Sequence, residues 1–146
     1  MEEESVMNKV EIGSVFKMVL TLDEGVKPKH PDDSDRTKYF VVLGSDDERI
    51  VVGAVLINSQ INPRLFSIIG PYQHLVKSLD YPFLSKPKSY IDCYNIKEIK
   101  LERIFKESVF IGKLKDDDIS AILSLAMSSP ANKKAVLSRY HLIDKR

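Results

Sequence analysis

Two continuous apolar runs with a short polar stretch between them place the strongest constraint on the fold of this chain. Residues 39–43 read Tyr-Phe-Val-Val-Leu, and residues 50–57 read Ile-Val-Val-Gly-Ala-Val-Leu-Ile. Apolar runs of this length are typical of strands that are buried on both faces. The stretch Gly-Ser-Asp-Asp at 44–47 supplies turn residues. The two runs therefore predict a β-hairpin.

Further strands are predicted on both sides of this hairpin. The residue types or their alternation indicate strands at residues 10–22, 89–99 and 109–111. The apolar content of residues 65–69 favours a strand as well, whereas residues 72–81 fit either a strand or irregular chain. Most of the first 114 residues is therefore expected to be β-structure and loops.

The residue pattern changes to that of helices after Leu114. Aspartates at 116–118 favour a helix N-terminus, where negative charge is stabilised and one of them can cap the helix. Apolar residues then recur at helical spacing from Ile119 to Ala126. Ser129 and Pro130 indicate the start of a second helix, which is expected to reach about Tyr140. The pattern predicts a mostly β protein: a small barrel followed by one or two α-helices.

Length and composition indicate one soluble domain. The chain has 146 residues, of which 43% are hydrophobic and 29% are charged. We expect a flexible tail at 1–9 and a single domain at 10–146. The acidic N-terminus lacks the features of a secretory signal, the single cysteine cannot form an internal disulfide, and no apolar run is long enough to span a bilayer. These features favour a cytoplasmic protein without a membrane partner.

The charge balance limits how this protein can bind nucleic acid. There are 22 basic and 21 acidic residues, which give a net charge of +1. Such a balance provides no general attraction to RNA, so RNA binding would require a local basic patch. No cofactor is expected, because the three histidines and the one cysteine lack the spacing of zinc ligands. Cys93, inside a predicted strand, fits a core position better than a nucleophile.

Four stretches between residues 10 and 125 occur in an order and spacing that resemble one protein family. These stretches are Gly-Ser-Val-Phe at 13–16, Lys-Tyr-Phe-Val-Val-Leu at 38–43, Ile-Asn-Ser-Gln at 57–60, and Ser-Tyr-Ile-Asp-Cys at 89–93 followed by Ile-Gly-Lys-Leu at 111–114. In that order they resemble the PemK/MazF-like toxin ribonucleases of toxin–antitoxin systems. The resemblance implies an SH3-like β-barrel, a homodimer, and neutralisation by a partner antitoxin.

The resemblance also implies an activity and a set of site residues. Members of that family cleave single-stranded RNA without a metal, with an Arg at the start of the second strand and a Thr or Ser at the end of the third. Ser59 matches the Thr/Ser position. The Arg position falls on Lys38, which is followed by Tyr39 instead of proline; Arg36, two residues earlier, is the alternative. The catalytic assignment stays open between Lys38 and Arg36.

Residues beside these positions are the candidates for substrate binding. Asn58 and Gln60 flank Ser59, and Lys29 and His30 lie in a polar loop predicted at residues 23–37. In the resembling family a mobile loop between the first two strands grips RNA, although aspartates in this loop balance its basic residues. His30 has an intrinsic pKa suited to proton transfer, but a lone loop histidine is more often only a surface residue.

Two functions from different classes remain open from the sequence. The first is a toxin-type endoribonuclease that acts on single-stranded RNA, which the motif order and Ser59 favour. The second is a catalytically silent SH3-like barrel that binds a protein or a peptide. The departure at Lys38 and Tyr39, together with the nearly neutral charge, favours the second.

Overall fold

The computed structural model describes residues 9–21, 24 and 35–143, with the backbone alone at 35 and 36. Nearly all of the tail expected at 1–9 lies outside the described residues, as does most of the polar loop with Lys29 and His30. Within the described part, no helix is long and apolar enough to cross a membrane.

The described strands form one antiparallel sheet that curls into a half-barrel. The strands are β1 (Ser14–Thr21), β2 (Asp35–Ser45), β3 (Val51–Asn58), β4 (Gln73–Lys77), β5 (Lys88–Lys100) and β6 (Val109–Lys113). Their order across the sheet is β4-β5-β3-β2-β1-β6. Strand content is 40% and helix content 31%, so the prediction of a mostly β fold with C-terminal helices is confirmed.

Short helices connect and cover the sheet. They are α1 (Phe66–Ile69), α2 (Leu101–Glu107), α3 (Asp116–Ser128) and α4 (Lys134–Arg139). Two turns of 3-10 helix, Pro63–Leu65 and Gly70–Tyr72, flank α1. The predicted hairpin is present as β2 and β3, which pair antiparallel, and the helix predicted near residue 116 is α3.

The central hairpin is buried on both faces, which explains its continuous apolar runs. One face of the sheet packs under α3 and α4, with Val41, Leu43 and Ile57 among its buried residues. The other face packs under α2, with Phe40 and Leu56 among its buried residues. Alternate residues of one strand therefore enter two separate cores.

Three sequence-based assignments are wrong. Residues 65–69 are helical and not a strand, because Asn62 caps a helical turn through Arg64 N–H (3.0 Å) and Pro63 follows at the first helical position. The polar loop predicted to reach residue 37 ends earlier, because residues 35–37 belong to β2 and pair with β1. The last helix begins at Lys134 instead of Pro130.

The late start of α4 follows from an irregularity in β5. Ala54 and Leu56 of β3 are two residues apart, but their β5 partners Lys97 and Asp92 are five apart. Three peptide groups of the bulge at 93–96 bond to the segment between α3 and α4, and Tyr94 N–H donates to Asp92 Oδ1 (3.1 Å). Asn132, which is buried, accepts from Ile96 N–H (2.8 Å) and donates to the carbonyls of Cys93 (3.2 Å) and Ala126 (2.8 Å).

The bonds of Ser129 complete this connection and explain why Ser129 does not begin a helix. Its hydroxyl donates to the carbonyl of Tyr94 and also accepts from Ala131 N–H (3.3 Å). The chain at 129–133 is thus held against the bulge of β5, and helical structure resumes only at Lys134.

Removing the Asn132 side chain should destabilise the whole fold. Asn132→Ala removes the bonds of Asn132 to one backbone N–H and two carbonyls, so the free energy of unfolding should fall by about 2 kcal/mol. Asn95→Ala is the matched control, because Asn95 lies exposed in the same bulge. Urea unfolding of both variants measures the difference. Equal stability of the two variants would contradict this role for Asn132.

A polar network connects α3 to β4 and to the loop that follows β4. Asp118 accepts from the hydroxyl of Tyr81, and its other oxygen lies 2.8 Å from His74 Nε2. Burial alone would raise the pKa of Asp118, but the bonds from Tyr81 and His74 outweigh it and hold the pKa below its ordinary value. Burial and the bond to Asp118 raise the pKa of Tyr81 to about 12. Asp118 therefore bridges separate elements. The prediction that one of the aspartates caps the helix is wrong, because the capping position is Lys115, whose side chain makes no capping hydrogen bond.

The stability contributed by Asp118 should depend on pH. Because its pKa is lowered on folding from 3.8, the contribution is complete above about pH 5 and is lost as the pH falls through the folded-state pKa. Asp118→Asn should therefore cost about 1–3 kcal/mol at pH 7 and less at pH 3. Asp117→Asn, at an exposed position of the same turn, is the control. Urea unfolding at pH 7 and at pH 3 measures the loss in the free energy of unfolding. An equal loss at both pH values would contradict this role of Asp118.

Candidate functional site

The pairing of β2 with β3 brings the main sequence-predicted residues together. Tyr39 pairs with Ile57, so the next position outward places Lys38 beside Asn58, and Lys38 Nζ donates to Asn58 Oδ1. Both side chains are half-buried. Ser59 and Gln60 follow directly after β3 and are exposed. Four of the seven predicted site residues therefore lie at one end of the hairpin.

For the other three predicted residues, the structure describes no side chain. The backbone of Arg36 lies in β2, pairs with Leu20 of β1, and precedes Lys38 by two residues. Lys29 and His30 lie outside the described residues. The choice between Lys38 and Arg36 thus stays a prediction, with a described side-chain position for Lys38 alone.

A row of side chains crosses the sheet at this end. Asn58 pairs on its other side with Tyr90 of β5, and Tyr90 pairs in turn with Leu75 of β4. Directly opposed residues of antiparallel strands have their side chains on the same face, with Cβ atoms about 4.5–5.5 Å apart. The register therefore sets a cation, an amide and an aromatic ring side by side across three strands.

Three adjoining pockets surround Ser59, and we call them together the Ser59 groove. The largest, about 640 Å³, is lined by Ser59, Gln60, Ile61, Pro63, Phe66 and Tyr90. The second, about 350 Å³, is lined by Lys38, Asn58, Ser59, Gln60, Ile61, Asn62 and Pro63. The third, about 160 Å³, lies between the start of β2 and residues 84–89, with Lys38, Ser59 and Lys86 in its lining. Ser59 lines all three.

The second and third pockets have the polar groups that bind anions. Lys38 and Lys86 contribute ammonium groups, and Asn58, Asn62 and Ser85 contribute amides and a hydroxyl. Among the residues that the structure describes, no aspartate or glutamate lines the groove. Two lysines thus lie close together at one end of the groove, on a protein of net charge +1.

The largest pocket has a different character, because its walls are mainly apolar. Phe66 is 57% exposed, and Tyr90 is half-buried. A methyl group on Gly70 would come within 3.2 Å of the Phe66 ring, so one side of the ring rests directly on the glycine backbone. The helical turn that begins at Asn62 and Pro63 thereby holds an aromatic ring at the edge of the groove.

Tyr39, which departs from the motif of the resembling family, supports one wall of the groove. Its ring centroid lies 5.3 Å from that of Phe83, and its hydroxyl donates to the Phe83 carbonyl (3.4 Å). The chain continues from Phe83 to Ser85 and Lys86 in the third pocket. A tyrosine here connects the sheet to the loop that carries Lys86.

The cysteine and the two histidines that the structure describes lie away from the groove. Cys93 is buried, and burial, aided by the charge of Asp92, raises the pKa of its thiol to about 12, so the thiol is protonated at neutral pH. His74 contacts Asp118, and His141 lies 2.7 Å from Asp47. Across residues 9–21, 24 and 35–143, no three His, Cys, Asp or Glu side chains are grouped to hold a metal ion.

Sequence reasoning missed Phe66, Tyr90 and Lys86 as residues of this site. The sequence did contain a signal for Phe66, the pair Asn62-Pro63, which marks a helix start. This signal predicts a helix instead of a strand in the apolar segment that follows. Tyr90 reaches the groove through the pairing of β3 with β5, and Lys86 through the loop that contacts Tyr39 at Phe83. No local sequence pattern reports either contact.

Comparison with models of known protein families finds no match to this chain, and comparison with curated protein sequences finds none either.

Proposed function

We propose that this protein is a metal-independent endoribonuclease of the toxin type, which cleaves single-stranded RNA in the Ser59 groove. The observation that carries the proposal is the position of Lys38 and Ser59 on the shared wall of adjoining pockets, one of which is also lined by Lys86. A phosphodiester in this position meets a cation and a hydroxyl together.

The chemistry assigned to the groove is an in-line transesterification. The 2′-hydroxyl oxygen of a ribose loses its proton and attacks the adjacent phosphorus, the bond from phosphorus to the 5′-oxygen breaks, and the 5′-oxygen gains a proton. The products carry a 2′,3′-cyclic phosphate and a 5′-hydroxyl. The Lys38 ammonium group stabilises the negative charge that develops on the phosphate oxygens. The Ser59 hydroxyl donates a hydrogen bond to the same phosphate. A side-chain cation thus serves the role that a metal ion has in other nucleases.

The contact between Lys38 and Asn58 supports this assignment. A lysine side chain has four rotatable bonds, and its point charge has no preferred direction of its own. The bond to Asn58 Oδ1 holds Nζ at the groove wall, next to the residue that precedes Ser59. Positioning of this kind lowers the barrier because the cation needs no reorganisation during the reaction. Arg36 is retained as the alternative cation, and His30 as a candidate for proton transfer.

The resemblance to the PemK/MazF-like family extends the proposal to partners. It implies a homodimer and an antitoxin that neutralises the activity. An antitoxin that covers the Ser59 groove would block access of RNA to Lys38 and Ser59.

A catalytically silent binding module is the second candidate. Tyr39 replaces the proline of the family motif, and large apolar side chains on and beside α1 are exposed, with Phe66 at 57% and Ile68 at 53%. A surface of this kind also suits a protein or peptide ligand. Under this alternative the groove binds its ligand without cleaving RNA.

Alanine variants test the catalytic assignment. In EDTA, cleavage of mixed-sequence single-stranded RNA should slow by about 10²- to 10³-fold in Ser59→Ala, and by a similar factor in either Lys38→Ala or Arg36→Ala. Single-turnover rates measure the effect, and circular dichroism confirms that each variant keeps the fold. Ser120→Ala and Lys134→Ala, at exposed positions on α3 and α4, are the matched controls and should cleave like the parent.

Two outcomes would overturn the proposal. If Ser59→Ala, Lys38→Ala and Arg36→Ala all cleave at the parent rate, the activity does not belong to this groove. If the parent cleaves no RNA across diverse sequences, the binding module becomes the better description.

A further inference from the structure

The Ser59 groove has two halves of opposite chemistry that share a wall. Ser59, Gln60, Ile61 and Pro63 line both the apolar pocket of about 640 Å³ and the polar pocket of about 350 Å³. A ligand that fills both halves must have a charged part and a flat or apolar part directly connected. The volume of the apolar half lies within the range of about 300–1,000 Å³ that is usual for small-molecule sites.

Phe66 is the unusual residue of the apolar half. Although it is a large aromatic side chain, it is 57% exposed and contributes to neither core cluster. Its position is nevertheless defined, because the ring rests on Gly70 within a capped helical segment. An exposed aromatic ring that is held in place on a rigid support is what single-stranded nucleic-acid binding proteins use to stack a base.

The remaining walls suit the other surfaces of a base. Gln60 carries an amide with both a donor and an acceptor, which can bond to the polar edge of any nucleobase. Tyr90 supplies a second aromatic side chain, and the register places it across Asn58 from Lys38. A base in this pocket would therefore have its phosphate on the side of Lys38.

We infer that the apolar half of the groove is a subsite for one unstacked nucleobase of a single RNA strand, with Phe66 as its stacking platform. The inference rests on the proposed function and names the part of the substrate that the second half of the groove binds. A base connected to a phosphate matches the adjoining apolar and cationic pockets, because every nucleotide has both parts at a fixed separation, whereas a peptide has an anion beside an apolar side chain only in particular sequences. Charge complementarity thus favours RNA over a protein ligand.

The subsite can be tested with strands that the protein cannot cleave. The probe is a mixed-sequence decamer with 2′-O-methyl riboses, which lack the attacking hydroxyl, and its counterpart is the same backbone without bases. Phe66→Ala should weaken binding of the base-containing strand by roughly 5- to 150-fold and leave binding of the abasic strand unchanged. Lys86→Ala should weaken both strands by similar factors, since it acts on phosphate.

Ile68→Ala is the matched control, because Ile68 is 53% exposed on the same helix and does not line the groove. This variant should bind both strands like the parent. Equal losses for both strands in Phe66→Ala, no loss in either, or equal effects of the Phe66 and Ile68 substitutions would overturn the subsite. The last result would instead indicate a protein-docking surface that includes the whole of α1.

The same proteins are tested separately for cleavage of unmodified RNA. Binding that depends on both the bases and Phe66, in a protein that cleaves no RNA, would support the subsite and reject the proposed catalysis. Cleavage without a base-dependent effect of Phe66→Ala would support the catalysis and reject the subsite.

Discussion

The burial of β2 and β3 on both faces is the constraint on which the rest of the structure depends. A slip of one residue between paired strands would move every side chain to the opposite face. Here each face of the hairpin packs into its own core, so a slip would disrupt both cores at once. The register is therefore fixed by packing, and this register places Lys38 beside Asn58 and next to Ser59.

Residues that are distant in sequence from the hairpin complete the groove. The bulge of β5 is satisfied by Asn132, and beyond it the same strand pairs with Asn58 through Tyr90. Tyr39 connects the sheet to Phe83, and thereby to the loop with Lys86. Residues that stabilise the fold thus also position the cationic and aromatic walls, so that stability and binding should be measured together in any variant.

The elements that could be predicted from the sequence are those with a strong local pattern. The hairpin and α3 are of this kind, since burial on both faces and helical spacing are visible in a few consecutive residues. The strand predicted at 65–69 fails because apolar residues there are exposed beside the groove instead of being buried. The start of α4 fails because Ser129 bonds to Tyr94, a partner 35 residues away. For the candidate site, the resemblance pointed to Lys38 and Ser59, whereas Tyr90 and Lys86 reach the groove only through tertiary contacts.

The chemical nature of the product ends tests the central claim most directly. The wild-type protein is incubated with single-stranded RNA in EDTA, and the fragments are analysed by mass spectrometry and by enzymatic labelling of 5′-hydroxyl ends. Attack by the 2′-oxygen in the Ser59 groove predicts a 2′,3′-cyclic phosphate on one fragment and a 5′-hydroxyl on the next. Fragments with 5′-phosphate and 3′-hydroxyl ends, or RNA that stays intact, would contradict this account.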